Sequence, residues 1–317
     1  MYHDFDLEKV LNDLKTSKRK NFILDTDAFN EIDDQYAVTY AFAADDLNVL
    51  AFTAAPFDCE KSTGPADGME KSYQELLKLR DLIDPENKKN IPIYRGSLEN
   101  MKSTIVPVKS EAAENIIRIV KEADDTVYIA AIGCYTNVAS ALLMDPSIID
   151  KCVIILLGGN MFYDDNANDF NIVQDRYAAR VILECGVPVA IMPAMGEEVT
   201  DAIYLNNAEI SYYLKDQAGR IGNYLCYLID NERKSGPVGE NGEVVSYLRG
   251  FCDIGAVVFT HDPTCFGYRI VPARTIDGDG RYKLVGDGRN MIYVNGADRD
   301  RIVSNYFTTV RKYGLEN

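Results

Sequence analysis

Five apolar runs recur along this chain, and each is followed by a segment with helical spacing. An apolar run without polar alternation indicates a strand that is buried on both faces. Strands of this kind, separated by helices, build a largely parallel sheet that is covered by helices on both sides. The sequence therefore predicts an α/β fold. The five runs are Phe22–Leu24, Leu47–Pro56, Thr126–Gly133, Lys151–Gly159 and Val187–Ala194.

The chain shows no boundary between domains. Its 317 residues contain no internal repeat and no low-complexity linker, and 47% of them are apolar, which is enough to bury a large core. We therefore predict one domain over residues 1–317. It has a largely parallel, Rossmann-like central sheet and a helical excursion at about residues 197–250.

Charge and composition restrict the partners and the compartment. The net charge of −16 argues against a nucleic-acid surface and gives no support to binding of anionic membranes. No segment has the pattern of a signal peptide, and no apolar run approaches the roughly 18 residues of a membrane span. Seven cysteines without close pairs are typical of a reducing compartment, and two histidines are too few for a multi-histidine metal site. We predict a cytoplasmic protein that acts on a small molecule.

The first apolar run leads directly into a dense group of carboxylates. Asp25, Asp27, Glu31, Asp33 and Asp34 put five acidic side chains within ten residues, between a predicted strand and a predicted helix. Such charges repel one another unless a cation compensates them. The preference of helix N-termini for acidic residues explains Asp33 and Asp34. It does not explain Asp25 and Asp27, so the stretch indicates a site.

Further polar segments are predicted at the same edge of the sheet. In open α/β sheets, ligands bind at the carboxyl ends of the strands. Besides the acidic stretch, the loop after Ile132-Gly133 and the loop from Asn160 to Asn171 follow predicted strands. The pair Cys252-Asp253 precedes an apolar helix, for which the simplest role of Asp253 is that of a helix cap.

Four motifs follow one another in a fixed order along the chain. They are Asp25-Thr26-Asp27 with Asp33-Asp34, IAAIGCYTNVASAL with Thr136-Asn137, LLGGN followed by DFNIVQD, and Cys252-Asp253 ahead of a helix. This series resembles the inosine-uridine nucleoside hydrolase family, whose fingerprint is a first strand running into DTDxxxDD. The closing YVNGADRDRIVSNYF is similar to the final strand and helix of that family. The resemblance spans nearly the whole chain and implies the nucleoside hydrolase fold.

The resemblance implies an enzyme that hydrolyses the N-glycosidic bond of ribonucleosides to free base and ribose at a site that holds Ca²⁺. Carried over by position, the metal ligands are the carboxylates of Asp27, Asp34 and Asp253 and the backbone carbonyl of Ile132. With waters and two ribose hydroxyls they form the shell of about six to eight oxygens that Ca²⁺ prefers. Asp27 is also implied as the general base for a water on the metal.

The resemblance also implies which residues bind the substrate. Asp33 and Asn171 hold ribose hydroxyls, and Asp169 holds the 5′ end, where the family usually has Glu. The reaction is attack at the anomeric carbon of an oxocarbenium-like sugar, whose positive charge is stabilised by nearby carboxylates. The implied setting is purine or pyrimidine salvage by a homodimer or homotetramer.

This chain departs from the family pattern at the acidic loop. Five residues, Ala28 to Ile32, separate the DTD from the acidic pair, where the family has three. We predict that Asn30 and Glu31 face the substrate sugar or replace a missing contact, and a turn without any such contact is the alternative. After the second strand the family offers a Gly-Asn, and Ala55-Pro56-Phe57 stands in its place. That ribose contact is therefore expected to be lost.

The position of the leaving-group acid is the second departure. Cys252 stands where many family members have the histidine that protonates the leaving base. A thiol, with a pKa near 8.5, is a poorer acid at neutral pH. Neither His3 nor His261 lies in a matching motif. The leaving base is then activated either by Cys252 or by another group, such as a tyrosine or an aromatic stack.

Two other functions stay open at the level of sequence. Asp25-Thr26-Asp27 is also similar to the opening of haloacid-dehalogenase-type phosphatases, which use Mg²⁺, and Gly286–Asn290 is similar to their late GDGxN motif. That segment is more typical of a hairpin turn. The chain could also be a nucleoside- or ribose-binding relative without turnover. Asp27 argues against this alternative, because a binding protein needs no carboxylate that activates water.

Overall fold

An eight-stranded sheet forms the centre of the structure. The computed structural model describes residues 6–194, 202–232 and 248–316. The strands within these residues are β1 (Lys20–Thr26), β2 (Leu47–Ala54), β3 (Ile93–Tyr94), β4 (Val127–Ala131), β5 (Cys152–Leu157), β6 (Val189–Met192), β7 (Tyr204–Asn206), β8 (Leu248–Gly250), β9 (Phe266–Pro272), β10 (Arg274–Ile276), β11 (Tyr282–Leu284) and β12 (Asn290–Ala297). The central sheet has the order β3-β2-β1-β4-β5-β6-β12-β9, and its neighbours are parallel except for β12 and β9. The predicted α/β fold with a largely parallel sheet is confirmed.

Helices cover both faces of this sheet. They are α1 (Leu7–Leu14), α2 (Asp33–Ala43), α3 (Pro65–Ile83), α4 (Glu111–Glu122), α5 (Thr136–Met144), α6 (Phe170–Gln174), α7 (Arg176–Glu184), α8 (Asn207–Leu214), α9 (Gly219–Glu232), α10 (Cys252–His261) and α11 (Arg299–Glu316). Alternate side chains of the strands enter two separate cores: on β4, Tyr128 and Ala130 enter one core, and Ile129 and Ala131 enter the other. Helices α2, α3 and α10 bury side chains in the first core, and α4, α5 and α7 do so in the second. No helix in the described ranges is long and apolar enough to cross a membrane.

The chain changes its direction of travel across the sheet between β1 and β4. From β1 it proceeds outward through β2 to β3, and it then returns to the other side of β1 for β4, β5 and β6. The carboxyl ends of β1 and β4 therefore border a topological switch point, where ligands bind in open α/β sheets. Asp27 and Ile132 directly follow these strand ends. The topology thus places two of the predicted site segments side by side.

The predicted excursion at residues 197–250 is only partly helical. Its described part contains α8 and α9, but β7 and β8 form an antiparallel ribbon close to its two ends. Residues 195–201 and 233–247 lie outside the described residues, and so does the stretch Gly236–Gly242, whose glycines and proline predict a turn-rich loop. The hairpin predicted at Gly286–Gly288 is wrong, because β10 pairs with β11, and the Gly286 segment leads from β11 into the central sheet. One domain over residues 1–317 stays a prediction.

Asn137, near the start of α5, joins the elements around the switch point. Its amide nitrogen donates to Asp25 Oδ1 at 2.9 Å and to the carbonyl oxygen of Ala54 at 3.0 Å. Its amide oxygen accepts from the backbone N–H and the hydroxyl of Ser97 at 2.8 and 3.0 Å. All four residues are fully buried. The side chain therefore connects β1, β2 and the loop after β3 where water cannot replace a lost bond.

We expect Asn137→Ala to lower the free energy of unfolding by about 3 kcal/mol, because it leaves several buried donors and acceptors without partners. Urea denaturation followed by circular dichroism measures this loss. Asn115→Ala is the matched control, since Asn115 is partly exposed on α4 and donates to the carbonyl of Glu111 in its own helix. Equal midpoints for the two variants would contradict this role of Asn137.

Candidate active site

Asp27 lies at the switch point between β1 and β4. The pairing of these strands extends past β4 through a hydrogen bond from the N–H of Ile132 to the carbonyl of Asp25 at 2.9 Å. Gly133 then passes so close that a Cβ at this position would lie 2.9 Å from Asp27 Oδ1. A side chain at this position would therefore clash, and the bare backbone after β4 forms a wall against the Asp27 carboxylate.

Two helix N-termini bring three further carboxylates together. Asp33 and Asp34 lie in the first turn of α2, and Asp253 lies in the first turn of α10, where the helix dipole favours negative charge. The two helices pack against each other. As a result, carboxylate oxygens of Asp33, Asp34 and Asp253 lie within 4.8 Å of one another. The hydroxyl of Thr26, the last residue of β1, donates to the Asp34 carboxylate.

Burial and mutual repulsion act on these carboxyl groups in the same direction. Burial is the largest cause that raises the pKa values of Asp27, Asp34 and Asp253 well above the usual range of an aspartate, and neighbouring carboxylates raise them further. Asp27 Oδ2 is buried and has no hydrogen-bond partner among the described residues. A hard divalent cation would relieve the repulsion and give this oxygen a partner. The cluster therefore has the donor set of a metal site.

The carboxylates line one cavity of about 390 Å³, a volume suited to a small organic molecule. Its walls come from the acidic loop, the loop after β2, the ends of β4 and β5, and the first turns of α6 and α10. The lining residues are Asp27, Asn30, Glu31, Asp33, Asp34, Cys59, Glu60, Lys61, Ile132, Leu157, Asp169, Phe170, Asn171, Ala194, Cys252 and Asp253. All ten site residues predicted from the sequence are among them.

Asn171 and Asp169 occupy the start of α6. Asn171 donates its amide N–H groups to the carbonyl oxygens of Ile132 at 2.7 Å and Leu157 at 3.2 Å. A carbonyl oxygen has two lone pairs, so that of Ile132 can still bind a cation. The Asp169 carboxylate caps α6 by accepting from the N–H groups of Asn171 and Ile172, and burial raises its pKa to about 6 despite these bonds.

Asn30 and Glu31, two polar residues of the longer acidic loop, lie in different surroundings. Asn30 is buried. Its backbone carbonyl accepts a hydrogen bond from the Lys61 ammonium at 2.5 Å, and its side-chain oxygen accepts one from the Cys59 thiol at 3.4 Å. Glu31 is 58% exposed and forms an ion pair with Arg249 at 2.7 Å. Both residues line the cavity, and their contact with a sugar stays a prediction.

Asp25 is fully buried next to the site and does not line the cavity. It accepts hydrogen bonds from the Thr53 hydroxyl at 2.5 Å and from Asn137 at 2.9 Å. Burial raises its pKa to about 7, against the effect of these two bonds. Asp25 is thus part of the buried network that fixes the end of β1.

The start of α10 differs from the simplest expectation for Asp253. Phe251 occupies the N-cap position, so Asp253 does not cap the helix and its carboxylate belongs to the acidic cluster. Cys252 is partly buried on the cavity wall, with its Sγ 3.6 Å from the carbonyl oxygen of Ala194. The predicted leaving-group position therefore opens onto the same cavity as the carboxylates.

Several side chains around the cavity were not predicted. Cys59, Lys61 and Phe170 line it, and Arg249 on β8 contacts the acidic loop. Cys59 and Lys61 belong to a Gly/Pro/Ser-bearing stretch without a motif, and Arg249 lies in the segment predicted as a helical excursion. The one available signal was the ribose contact that the family makes after the second strand, which points to this loop but not to these residues.

Comparisons with known sequences agree with this architecture. The family model described as inosine-uridine preferring nucleoside hydrolase matches residues 22–304. A similar sequence from Oryza sativa subsp. japonica, named probable uridine nucleosidase 2, is 24% identical over 254 residues, which cover 70% of this chain and 70% of the relative. The pyrimidine-specific ribonucleoside hydrolase RihA of Klebsiella pneumoniae (strain 342) is 26% identical over 206 residues, which cover 57% of this chain and 62% of that protein.

Solved structures share the fold. A purine-preferring ribonucleoside hydrolase from Gardnerella vaginalis superposes with a TM-score of 0.73 at 21% identity, over 94% of this chain and all of that one. An inosine-guanosine nucleoside hydrolase superposes with a TM-score of 0.72 at 19% identity, over 92% of this chain and 98% of that one. At these identities the superpositions show a common fold.

We expect Asp253→Asn to stabilise the protein in the presence of a chelator, because the neutral amide removes one of the repelling charges. The gain in the free energy of unfolding should be roughly 1–3 kcal/mol. Addition of Ca²⁺ should raise the melting temperature of the wild-type protein and raise that of the variant much less. Differential scanning calorimetry with and without Ca²⁺ measures both effects.

Asp300→Asn serves as the control for this experiment. Asp300 lies in the first turn of α11, and its side chain is 90% exposed. Its replacement should change neither the stability in chelator nor the response to Ca²⁺. A chelated Asp253→Asn protein that is less stable than wild type, with an unchanged response to Ca²⁺, would argue against a metal site in this cluster.

Proposed function

Because this chain belongs to the inosine-uridine preferring nucleoside hydrolase family and is a nucleoside hydrolase, we propose that it hydrolyses the N-glycosidic bond of ribonucleosides with the help of a bound Ca²⁺ ion. The observation that carries this proposal is the spacing of Asp33, Asp34 and Asp253, whose carboxylate oxygens lie within 4.8 Å of one another beside Asp27 in one cavity. Buried like charges at this spacing need a cation.

Four groups are proposed to hold the Ca²⁺ ion: the carboxylates of Asp27, Asp34 and Asp253 and the backbone carbonyl of Ile132. All of them offer oxygen atoms, which Ca²⁺ prefers. When bound, the ion would neutralise part of the cluster and lower the pKa of a water molecule in its shell. Asp33 lies within the same group of carboxylates, and we assign it to the sugar.

Asp27 is proposed as the general base. Its carboxylate lies against the backbone of Gly133, and one of its oxygens has no partner among the described residues. The burial that raises its pKa also makes it a better proton acceptor than an ordinary aspartate. Asp27 takes the proton of the water that attacks the anomeric carbon. The surrounding carboxylates stabilise the positive charge that develops on the sugar as the bond to the base breaks.

Asp33, Asn171 and Asp169 are proposed to orient the sugar. The amide nitrogen of Asn171 donates to two carbonyl oxygens, so its amide oxygen is the atom that can accept from a ribose hydroxyl. The Asp169 carboxylate is fixed by the N–H groups of α6, which lets it hold the 5′-hydroxyl in one orientation. Asn30 and Glu31 are proposed as further sugar contacts. Glu31 would share its carboxylate between the sugar and its present ion-pair partner.

The departure of the base requires a group that activates it. We propose that Cys252 lies beside the leaving base, because it shares the cavity with the carboxylate cluster and directly precedes Asp253. Phe170 lines the same cavity and is 40% exposed, so an aromatic stack on the base is the alternative source of activation. A thiol acid raises the rate only for a base that must be protonated before it leaves, whereas an aromatic stack supplies no proton.

The setting of the reaction is part of the same proposal. We place the protein in nucleoside salvage in the cytoplasm, as a homodimer or homotetramer. A relative that binds nucleoside or ribose without turnover is the alternative function, and turnover separates the two. A phosphatase is not supported: Asp287 of the GDG segment pairs with Arg289, which lines a different cavity.

We expect ribose release from a panel of purine and pyrimidine ribonucleosides, and loss of that release in the presence of a chelator. Asp27→Ala should lower kcat/KM by about a thousandfold or more, because it removes the base and one metal ligand. A reducing-sugar assay measures both effects, and isothermal titration with Ca²⁺ should show weaker binding by the variant. Binding of metal and ribose without turnover by the wild type would support the binding relative. Wild-type rates in Asp27→Ala would refute the role of Asp27.

Cys252→Ala tests which group activates the leaving base. If the thiol is not the acid, kcat on inosine and on p-nitrophenyl riboside should both fall less than about fivefold. If the thiol protonates the base, the rate on inosine should collapse while that on p-nitrophenyl riboside, whose leaving group needs no proton, is retained. Steady-state kinetics on the two substrates decides between them. Cys265→Ala, which removes a buried thiol that does not line the cavity, is the matched control.

A further inference from the structure

Arg249 places a guanidinium group next to the acidic loop. Its Nη2 lies 2.7 Å from Glu31 Oε2 and 3.4 Å from Asp33 Oδ1. The side chain of Arg249 is 14% exposed and that of Asp33 is 7% exposed, so their interaction is screened by little water. Asp33 thus has one carboxylate oxygen near a cation that comes from a distant part of the chain.

The strand that carries Arg249, β8, is held along its edge with β7. In the ribbon, Arg249 pairs with Leu205 of β7, and the next residues form a bond from the N–H of Phe251 to the carbonyl of Ile203 at 2.9 Å. Leu205, Ile203 and Phe251 are all fully buried. Four residues after Arg249 comes Asp253 of the carboxylate cluster. One short, anchored segment therefore sets the position of both the guanidinium and a proposed metal ligand.

The charges around Asp33 explain what the guanidinium does there. Carboxylate oxygens of Asp34 and Asp253 lie within 4.8 Å of one of its oxygens and repel it. Arg249 lies close to one of its oxygens and attracts it. Without that attraction, repulsion would favour rotation of the Asp33 side chain away from its neighbours. The guanidinium therefore opposes the force that would move Asp33 out of place.

We propose that Arg249 is a positioning residue: through its contacts with Glu31 and Asp33 it holds the Asp33 carboxylate in the orientation that accepts a hydrogen bond from a ribose hydroxyl. The inference rests on the proposed function, because it takes Asp33 as a sugar contact. The Asp33 carboxylate, held in this way, would make the site select ribose over deoxyribose. A carboxylate fixed to bind a hydroxyl disfavours the analogue that lacks it, whereas a mobile carboxylate loses that discrimination.

The test compares Arg249→Met, which removes the charge and keeps much of the length, with Arg249→Lys, which keeps the charge. The substrates are a ribonucleoside that the wild type cleaves and its 2′-deoxy and 3′-deoxy forms. We expect kcat/KM of Arg249→Met on the ribonucleoside to fall about tenfold, mainly through KM, because a charge-assisted contact is no longer held in place. The value for one of the two deoxy forms should change much less. Arg249→Lys should recover part of the selectivity.

Arg299→Met is the control that distinguishes the loss of Asp33 positioning from damage to the β7–β8 ribbon. Arg299 donates to the carbonyl of Tyr204 on β7 at 2.9 Å and pairs with Glu209 at 2.8 Å. Its loss perturbs the same ribbon from the other side of β7 and leaves the guanidinium at Asp33 in place. We expect any loss in this variant to be equal for the ribo and deoxy substrates. Equal losses on all three substrates in Arg249→Met, or no loss at all, would overturn the proposal.

A second readout does not depend on turnover. In the presence of Ca²⁺, the rise in melting temperature on addition of D-ribose should be larger than that with 2-deoxy-D-ribose or 3-deoxy-D-ribose for the wild type. In Arg249→Met the difference from one of the deoxy sugars should shrink at least threefold. If the wild type cleaves no nucleoside, the proposed function fails and the sugar-binding difference still judges the role of Arg249. If that difference is unchanged in Arg249→Met, the positioning role fails by itself.

Discussion

Several aspartates are buried where the chain changes its direction of travel across the sheet, and the rest of the structure must balance their charges. Asp27, Asp34 and Asp253 are nearly inaccessible, and their pKa values are raised first by burial and further by neighbouring carboxylates. Such an arrangement opposes folding, so other elements must compensate for it. Two helix dipoles, the Thr26 hydroxyl and the neighbouring guanidinium of Arg249 act in this direction. A bound cation would complete the compensation. The same charges would then determine both the binding of the cation and the stability of the fold.

Much of the fold follows from local pattern. Strands such as Cys152–Leu157 are apolar at every position because both faces of the sheet are covered, and that pattern can be seen without any partner. The site followed from the same rule, since the end of a parallel strand is fixed by the end of its apolar run. Asp27 and Ile132 were therefore predicted to lie close together. The prediction of Asp253 needed the family resemblance, because its helix is distant in sequence.

What the sequence did not reveal depends on side-chain pairing across the chain. The Glu31–Arg249 ion pair joins residues more than two hundred positions apart, and no periodicity specifies such a partner. The same is true of Asn30, whose polar groups bind the loop after β2. The ribbon of β7 and β8 escaped prediction because three-residue strands carry too little alternation to be distinguished from helix. These features surround the predicted site and determine how its charges are balanced.

The packing of α2 against α10 has a consequence for how the protein is made. The two helices begin at residues 33 and 252, so the acidic cluster draws on both ends of the sequence. During synthesis the first strand and helix leave the ribosome long before their counterpart exists. A partly synthesised chain therefore presents its acidic loop without the third carboxylate, and it offers a cation an incomplete set of ligands. A cation that needs all three carboxylates would therefore bind only after α10 has been made and docked against α2.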